Sequence, residues 1–176
     1  MKSAGKGPGT VSIAPIASDD IDELIALAGI AWRAHYPGII SVAQIEYMLA
    51  QRYNMSVIRG ELERGEARWD VLRVDGMMTA FASYFASERP RAARLDKLYV
   101  HPGHLRKGYG GMLIDHACKV MREAGCDTLM LAVNKHNASA IAAYRKHGFR
   151  IAESVTKDIG GGFVMDDYIM LKGVNE

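Results

Sequence analysis

The chain has 176 residues, of which 49% are hydrophobic and 24% charged, which is the size and composition of one globular domain. Its 22 basic and 20 acidic residues leave a formal net charge of +2, a balance that gives no support for a nucleic-acid-binding or membrane-surface protein. The sequence shows no signal-peptide pattern and no apolar run near the roughly 20 residues needed to cross a bilayer, so we expect a cytoplasmic protein. The two cysteines, Cys118 and Cys126, form no C-x-x-C pair and are expected to be reduced thiols.

The N-terminal part of the chain predicts a tail, one strand and three helices. Residues 1–9 are rich in Gly, Lys and Ser and are expected to form a flexible tail, followed by a single domain over residues 10–176. Pro37-Gly38 ends the first predicted helix, and Gly65 ends the third. The predicted elements are a strand at Val11–Ile16, a helix with Ser18 as its N-cap, and helices at Ser41–Arg52 and Met55–Arg64.

The rest of the chain alternates between strands and helices. The dipeptide Asp75-Gly76 between two apolar runs is typical of a two-residue hairpin turn. Because a strand–helix–strand unit joins parallel strands, the later order predicts a parallel pair within a mixed sheet. The predicted strands lie at Arg68–Val74, Met77–Ala86, Arg94–Val100, Thr128–Val133, Phe149–Lys157 and Phe163–Leu171, and the helices at Gly108–Ala124 and Asn137–His147.

The segment Leu98–Gly111, LYVHPGHLRKGYGG, leads from a strand into a glycine-rich basic turn that opens a helix. Glycines allow a ligand to approach the backbone closely, and the start of a helix offers free N–H groups and a positive dipole end. Arg106 and Lys107 add positive charge at the same place. The segment therefore predicts an anion site suited to a pyrophosphate, although it matches neither the P-loop nor the dinucleotide fingerprint.

A second segment, NASAIAAYRKHGF at Asn137–Phe149, places two polar side chains on one helix face. Asn137 and Tyr144 are seven residues apart, about two helical turns. Taken singly, Asn137 is more often a helix N-cap, and Tyr144 more often a half-buried core aromatic. The occurrence of both segments in this order, with a strand between them, favours one ligand groove.

The two segments together resemble those of the GCN5-related N-acetyltransferases, the GNAT superfamily. The family's phosphate motif has Gln or Arg, two residues, Gly, one residue, and Gly or Ala; here that register runs from Leu105 to Gly110, and Leu105 departs from the pattern. The resemblance covers roughly Val71–Leu171. It implies an α/β (α+β) fold with a mixed, mostly antiparallel sheet of about seven strands and helices on both faces. A splayed parallel strand pair would form the cleft for coenzyme A, and acetyl-CoA would be the donor.

The resemblance also implies which residues hold the donor. The strand at Leu98 and Val100 would pair with the pantetheine arm, and the amides of Arg106–Gly111 would hold the pyrophosphate. Tyr144 would stand beside the sulfur as general acid. The implied cofactor-binding residues are Leu98, Tyr99, Val100, Leu105, Arg106, Lys107, Gly108, Tyr109, Gly110, Gly111, Asn137, Ser139, Tyr144 and Lys146.

The sequence does not identify the general base or the acceptor site. Asp96 is the candidate base, with an outward-facing strand carboxylate as the alternative. His35, Tyr36 and Glu46 lie in the helices where the family builds its acceptor pocket, and each is otherwise structural or exposed.

A finer resemblance, to PaiA-like polyamine acetyltransferases, implies a polyamine acceptor. The segments Tyr36–Leu49 and Gly162–Met170 carry it. Glu46, Asp166 and Asp167 would then bind a polycation, although the last two also fit a solvated hairpin.

Two other functions remain as alternatives to a small-amine acetyltransferase. One is an enzyme acting on protein N-termini or lysines, and the other is a coenzyme A sensor without turnover. We expect no metal, because His101, His104 and His116 have no recognised ligand spacing. We expect neither a nucleic-acid nor a membrane partner, and a homodimer stays open.

Overall fold

The computed structural model describes residues 9–175. The predicted tail, apart from Gly9, and Glu176 lie outside the described residues. The strands are β1 (Val11–Pro15), β2 (Arg68–Val74), β3 (Met77–Ala86), β4 (Ala92–Val100), β5 (Thr128–Asn134), β6 (Arg150–Gly160) and β7 (Phe163–Gly173). The helices are α1 (Ile21–His35), α2 (Val42–Arg52), α3 (Met55–Arg64), α4 (Tyr109–Glu123) and α5 (Ala138–Lys146), with short 3₁₀ turns at Ser18–Asp20 and Pro102–His104.

The seven strands form one sheet in the order β1-β2-β3-β4-β5-β7-β6. Every neighbouring pair is antiparallel except β4 and β5, which run parallel. Two hydrophobic clusters cover the two faces: Leu113 and Ile114 of α4 pack on one, and Leu24 of α1, Ile45 of α2 and Ile58 of α3 on the other. The predicted mixed sheet with helices on both faces is confirmed.

Local sequence signals explain most of the helix ends. The Ser41 hydroxyl accepts a hydrogen bond from the Gln44 amide (3.1 Å) and caps α2, and the Asn54 side chain caps α3. Gly65 ends α3 in the left-handed conformation, with φ of 64°. The prediction that Ser18 caps the first helix is wrong, because Ser18 begins a 3₁₀ turn that precedes α1 and makes no capping bond to it.

The parallel pair opens soon after it starts. The β4–β5 ladder joins Ala92, Ala93 and Arg94 to Thr128, Leu129 and Met130, and the described residues show no pairing beyond these. A β-bulge in β4 accompanies the opening: Ser83 lies opposite Lys97 and Tyr84 opposite Leu95, so Asp96 is an additional residue. The bulge changes the alternation of side chains, since Leu95 packs in the α4-side core and Lys97 lies over the Trp69 ring on the other face. The second half of β4 therefore borders a gap in the sheet.

The β6–β7 hairpin folds onto α2. The Tyr47 hydroxyl donates to the Ile159 carbonyl (2.9 Å), and the Tyr47 ring lies 5.2 Å from the Phe163 ring. The side-chain amide of Gln44 donates through Nε2 to the Val164 carbonyl (3.1 Å). The turn contains Gly161, whose φ is 63° and whose backbone lies against Tyr47. The hairpin thus closes one end of the gap.

We expect Gly161→Ala to weaken this closure. A Cβ at Gly161 would lie 2.8 Å from Tyr47 Cε2, in a backbone region that L residues rarely adopt. The matched control is Gly162→Ala, which has a φ of 79° but no atom within 4 Å of the new Cβ. Backbone strain alone costs about 1–2 kcal/mol, or roughly 2–8 °C in Tm for a chain of this size. A thermal melt should show Gly161→Ala below Gly162→Ala; equal melting temperatures would contradict the contact with Tyr47.

Candidate active site

A cleft of about 910 Å³ occupies the gap in the sheet, and residues from both faces of the sheet line it. On one side lie α4, α5 and the turn before α4, which we call the donor side. On the other side lie α1, the end of α2 and part of β7, which we call the acceptor side. The tip of the opened strand β4 runs between the two sides. A ligand spanning the cleft therefore passes through the sheet where β4 and β5 part.

The turn before α4 has the backbone geometry of an anion site. Gly108 is the N-cap of α4 in the left-handed conformation, with φ of 86°, and Arg106 also has a positive φ, of 61°. A Cβ at Gly110 would meet only Val100 Cγ2, at 3.8 Å, so this glycine leaves open space beside β4. Gly111 is required for packing, because a Cβ there would collide with the ring of His147, which follows α5. The first amides of α4 consequently face open space without covering side chains.

Most of the predicted cofactor-binding residues line this cleft. The two exceptions among them are Lys107 and Lys146, whose side chains are exposed outside the lining. Leu105, which replaces the polar residue of the family motif, is 53% exposed. The predicted residues that line the cleft are Leu98, Tyr99, Val100, Leu105, Arg106, Gly108, Tyr109, Gly110, Gly111, Asn137, Ser139 and Tyr144.

Asn137 is both a cap and a link between the two sides of the cleft. Its side-chain oxygen accepts from the Ala140 amide (3.3 Å) and caps α5. The same oxygen lies 3.1 Å from His35 Nε2 on α1. Because an amide oxygen can only accept, this bond requires the proton on Nε2. His35, predicted for acceptor binding, thus contacts a residue predicted for donor binding.

The Tyr144 hydroxyl stands in the cleft without a hydrogen-bond partner among the described residues. Its ring packs edge-on against Phe149, with centroids 5.6 Å apart, and this contact fixes the ring on α5. Burial, with a smaller contribution from the nearby Tyr36, raises the pKa of Tyr144 above its usual value. The phenol therefore stays protonated at neutral pH and is able to donate a proton.

An aromatic wall forms the acceptor side. The hydroxyls of Tyr36 and Tyr99 are hydrogen-bonded at 3.1 Å, and burial raises the pKa of both phenols. The Trp32 ring lies 4.5 Å from that of Tyr36 and 5.6 Å from that of Tyr99, and Tyr53 also lines the cleft. The Tyr99 side chain, predicted for donor binding, therefore belongs to the acceptor side. No local pattern in the sequence indicated Tyr53, because its place depends on how α2 packs.

Asp96 is held by three cations at the bulge of β4. Its carboxylate lies 2.6 Å from Lys97 Nζ, 3.3 Å from Arg94 Nε and 3.8 Å from Arg52. These positive charges, chiefly that of Lys97, outweigh the effect of burial and lower its pKa. A lowered pKa makes Asp96 a weaker base than an ordinary carboxylate. The bulge thus presents a paired, cationic cluster to the cleft.

The three acidic residues predicted to bind a polycation, Glu46, Asp166 and Asp167, differ in their partners and in whether they line the cleft. Glu46 lies outside the cleft lining and forms a two-point ion pair with Arg33 (2.7 Å) on the surface. Asp166 pairs with Lys135 and accepts from Thr156. Asp167, one residue further along β7, is buried and lines the cleft. Strand alternation separates the last two, since neighbouring side chains point to opposite faces.

Residues 24–149 match the Acetyltransferase (GNAT) family. The chain belongs to this family. It is 26% identical over 159 residues to a spermidine N(1)-acetyltransferase of Thermoplasma acidophilum, a match that covers 89% of this chain and 96% of that protein. It is 37% identical over 81 residues to the [ribosomal protein bS18]-alanine N-acetyltransferase of Salmonella typhimurium, covering 46% of this chain and 53% of that protein.

A solved GNAT structure supports the same assignment. The PaiA N-acetyltransferase of Thermoplasma acidophilum, determined in complex with coenzyme A, superposes with a TM-score of 0.80 at 25% identity, over 93% of this chain and 99% of that one. The predicted family and fold are confirmed, and the chain is an acetyltransferase that uses acetyl-CoA. Its own cleft fits that donor, because open helix amides lie at one end and an unpaired strand edge at the middle. Within residues 9–175, no helix has the length and apolarity required to cross a bilayer.

Proposed function

We propose that this GNAT acetyltransferase acetylates the primary amine of a small molecule, with Tyr144 as the general acid. The observation that carries the proposal is the position of the Tyr144 hydroxyl in the cleft that joins the donor and acceptor sides. This hydroxyl is protonated and has no hydrogen-bond partner in the part of the chain that the structure describes. The aromatic wall of Trp32, Tyr36, Tyr53 and Tyr99 gives the acceptor side the apolar surface that a small organic amine requires.

The chemistry divides between the two ends of the cleft. Acetyl-CoA supplies an activated thioester carbonyl. The acceptor nitrogen, once neutral, forms the new C–N bond while the C–S bond breaks. Tyr144 gives its proton to the departing sulfur and regains one from the acceptor nitrogen, so that the phenol ends as it began. Holding both reactants in line would supply much of the rate advantage.

A polyamine acceptor is the finer part of the proposal. Its support is the similarity to the spermidine acetyltransferase of Thermoplasma acidophilum. The charges of the cleft do not add to that support, since its lining contains more cations than carboxylates. The cations are Arg52, Arg94, Lys97, Arg106 and Lys157, and the carboxylates are Asp96 and Asp167. The acceptor's charge therefore has to be measured.

An acceptor panel tests the proposal by release of coenzyme A thiol. The panel contains spermidine, a lysine peptide, an N-terminal alanine peptide and a matched pair, 1,4-diaminobutane and 4-aminobutyrate, which differ only in the distal charged group. We expect turnover with at least one small amine and a higher kcat/KM than with either peptide. Preference for a peptide would favour protein acetylation instead. Saturable acetyl-CoA binding without thiol release on any acceptor would indicate a sensor.

A further inference from the structure

Asp167 has a buried carboxylate oxygen that makes no hydrogen bond within residues 9–175. The residue is 5% exposed, and the oxygen is Oδ1. A buried polar atom without a hydrogen bond is costly, and a polar ligand that enters the cleft is able to supply the missing bond. Asp167 also lines the cleft, on its acceptor side.

The position of Asp167 follows from the register of β7. It is paired with Asn134 at the end of β5 and with Val155 on β6, so the strand backbone holds it rigidly. Met165, two residues away, packs in the core formed with α1–α3, whereas Tyr168 packs against the α4-side core. Asp167 shares the face of Met165 and therefore looks toward α1 and the aromatic wall.

The charged groups around Asp167 leave its carboxylate able to bind a cationic ligand. Burial raises the pKa of Asp167 above its usual range, and the neighbouring Asp166 acts in the same direction. Three cations act against this, but the strongest of them, Arg94, is already bonded to Asp96. The charged groups that act on Asp167 are Arg94 on β4, Arg52 on α2, Lys135 after β5 and Asp166 on β7. Other titratable groups that line the acceptor side of the cleft are His35 on α1, Tyr36 just after α1, Tyr53 just after α2, Asp96, Lys97 and Tyr99 on β4, and Lys157 on β6.

We propose that Asp167 is the general base: its carboxylate binds the acceptor's ammonium group and takes one proton from it. The inference rests on the proposed acetyl transfer and adds the group that prepares the acceptor. An N–H bond of the ammonium breaks, an O–H bond forms on Asp167, and the proton leaves to solvent after turnover. An alkyl ammonium with a pKa near 10.4 needs this step at neutral pH. Asp96, bonded to three cations, is poorly suited to it.

The test compares Asp167→Asn with the matched control Asp166→Asn. Both remove one carboxylate from β7, but Asp166 is paired with Lys135 on the opposite face. With the fastest amine of the panel, we expect Asp167→Asn to lower kcat/KM at pH 7 by about 100-fold or more, within the range of general-base catalysis. The variant should recover about tenfold per pH unit as the amine loses its proton in solution, and reach the wild-type rate at or below the amine's pKa of about 10.4, at a pH set by the size of the loss at pH 7. Asp166→Asn should follow the wild-type profile throughout.

A second measurement separates catalysis from folding. A carboxyl group whose pKa is higher in the folded than in the unfolded state stabilises the fold least when it is ionised, so stability falls as pH rises through the folded pKa. At pH 7, Asp167→Asn should therefore melt at the wild-type temperature or above it. Wild-type kcat/KM in Asp167→Asn, or an equal loss at every pH, would overturn the assignment of the base alone. Absence of thiol release from wild type and both variants, with no effect of spermidine on the Asp167 ¹³Cγ resonance, would overturn both proposals.

Discussion

Gly110→Glu should lose acetyl-CoA binding. The new side chain would enter the open space beside Val100, at the first turn of α4. It would place a negative charge beside the helix amides that we expect to bind the diphosphate. We expect an affinity at least about 100-fold weaker, which corresponds to about 2.8 kcal/mol. Isothermal titration calorimetry with coenzyme A measures this directly and requires no acceptor.

The control for Gly110→Glu is a glutamate in the same helical turn but outside the cleft. Met112 is 41% exposed and does not belong to the cleft lining, so Met112→Glu adds the same charge without filling the site. Its effect on affinity should stay within a few-fold, because charges on an exposed surface are screened. Equal losses in the two variants would mean that net charge, and not the site, governs binding.

Tyr144→Phe should lower kcat by about 100- to 1,000-fold, the usual contribution of a positioned acid. The phenylalanine keeps the edge-on packing against Phe149, so coenzyme A affinity and melting temperature should stay at wild-type values. Because the raised pKa of Tyr144 keeps the phenol protonated, wild-type activity should not fall through loss of this proton at pH 7–9. Pre-steady-state thiol release separates this step from product release.

Tyr168→Phe is the matched control for the loss of a tyrosine hydroxyl. Tyr168 lies outside the cleft lining, on the face of β7 opposite to that of Asp167, and Lys135 Nζ lies over its ring. Its removal should leave kcat unchanged. A wild-type kcat in Tyr144→Phe would remove Tyr144 from the mechanism, whatever its position in the cleft.

Signals confined to a few residues predicted the fold and the donor side. The turn Asp75-Gly76, the cap Ser41 and the stop at Gly65 depend on short-range backbone chemistry, so the elements around them could be placed within a few residues. The glycine turn before α4 and the pair Asn137 and Tyr144 are equally local. The prediction of Ser18 as the N-cap of the first helix was wrong because a 3₁₀ turn precedes α1. No single residue type determines whether such a turn forms.

The acceptor side depends on contacts that sequence spacing does not reveal. The surroundings of Asp96 involve Arg52, which comes from another element, and the bulge in β4. Alternation along β7 could have separated Asp166 from Asp167, but which of the two faces the cleft follows from the pairing of β7 with β5 and β6. The ion pair that occupies Glu46 at the surface likewise joins α1 to α2.

A crystal structure with acetyl-CoA tests the central claim, that the amides opening α4 hold the diphosphate of the donor. We predict diphosphate oxygens within hydrogen-bonding distance of the amides between Arg106 and Gly111, and the thioester beside the Tyr144 hydroxyl. A diphosphate bound elsewhere on the surface, or a thioester remote from Tyr144, would contradict the account.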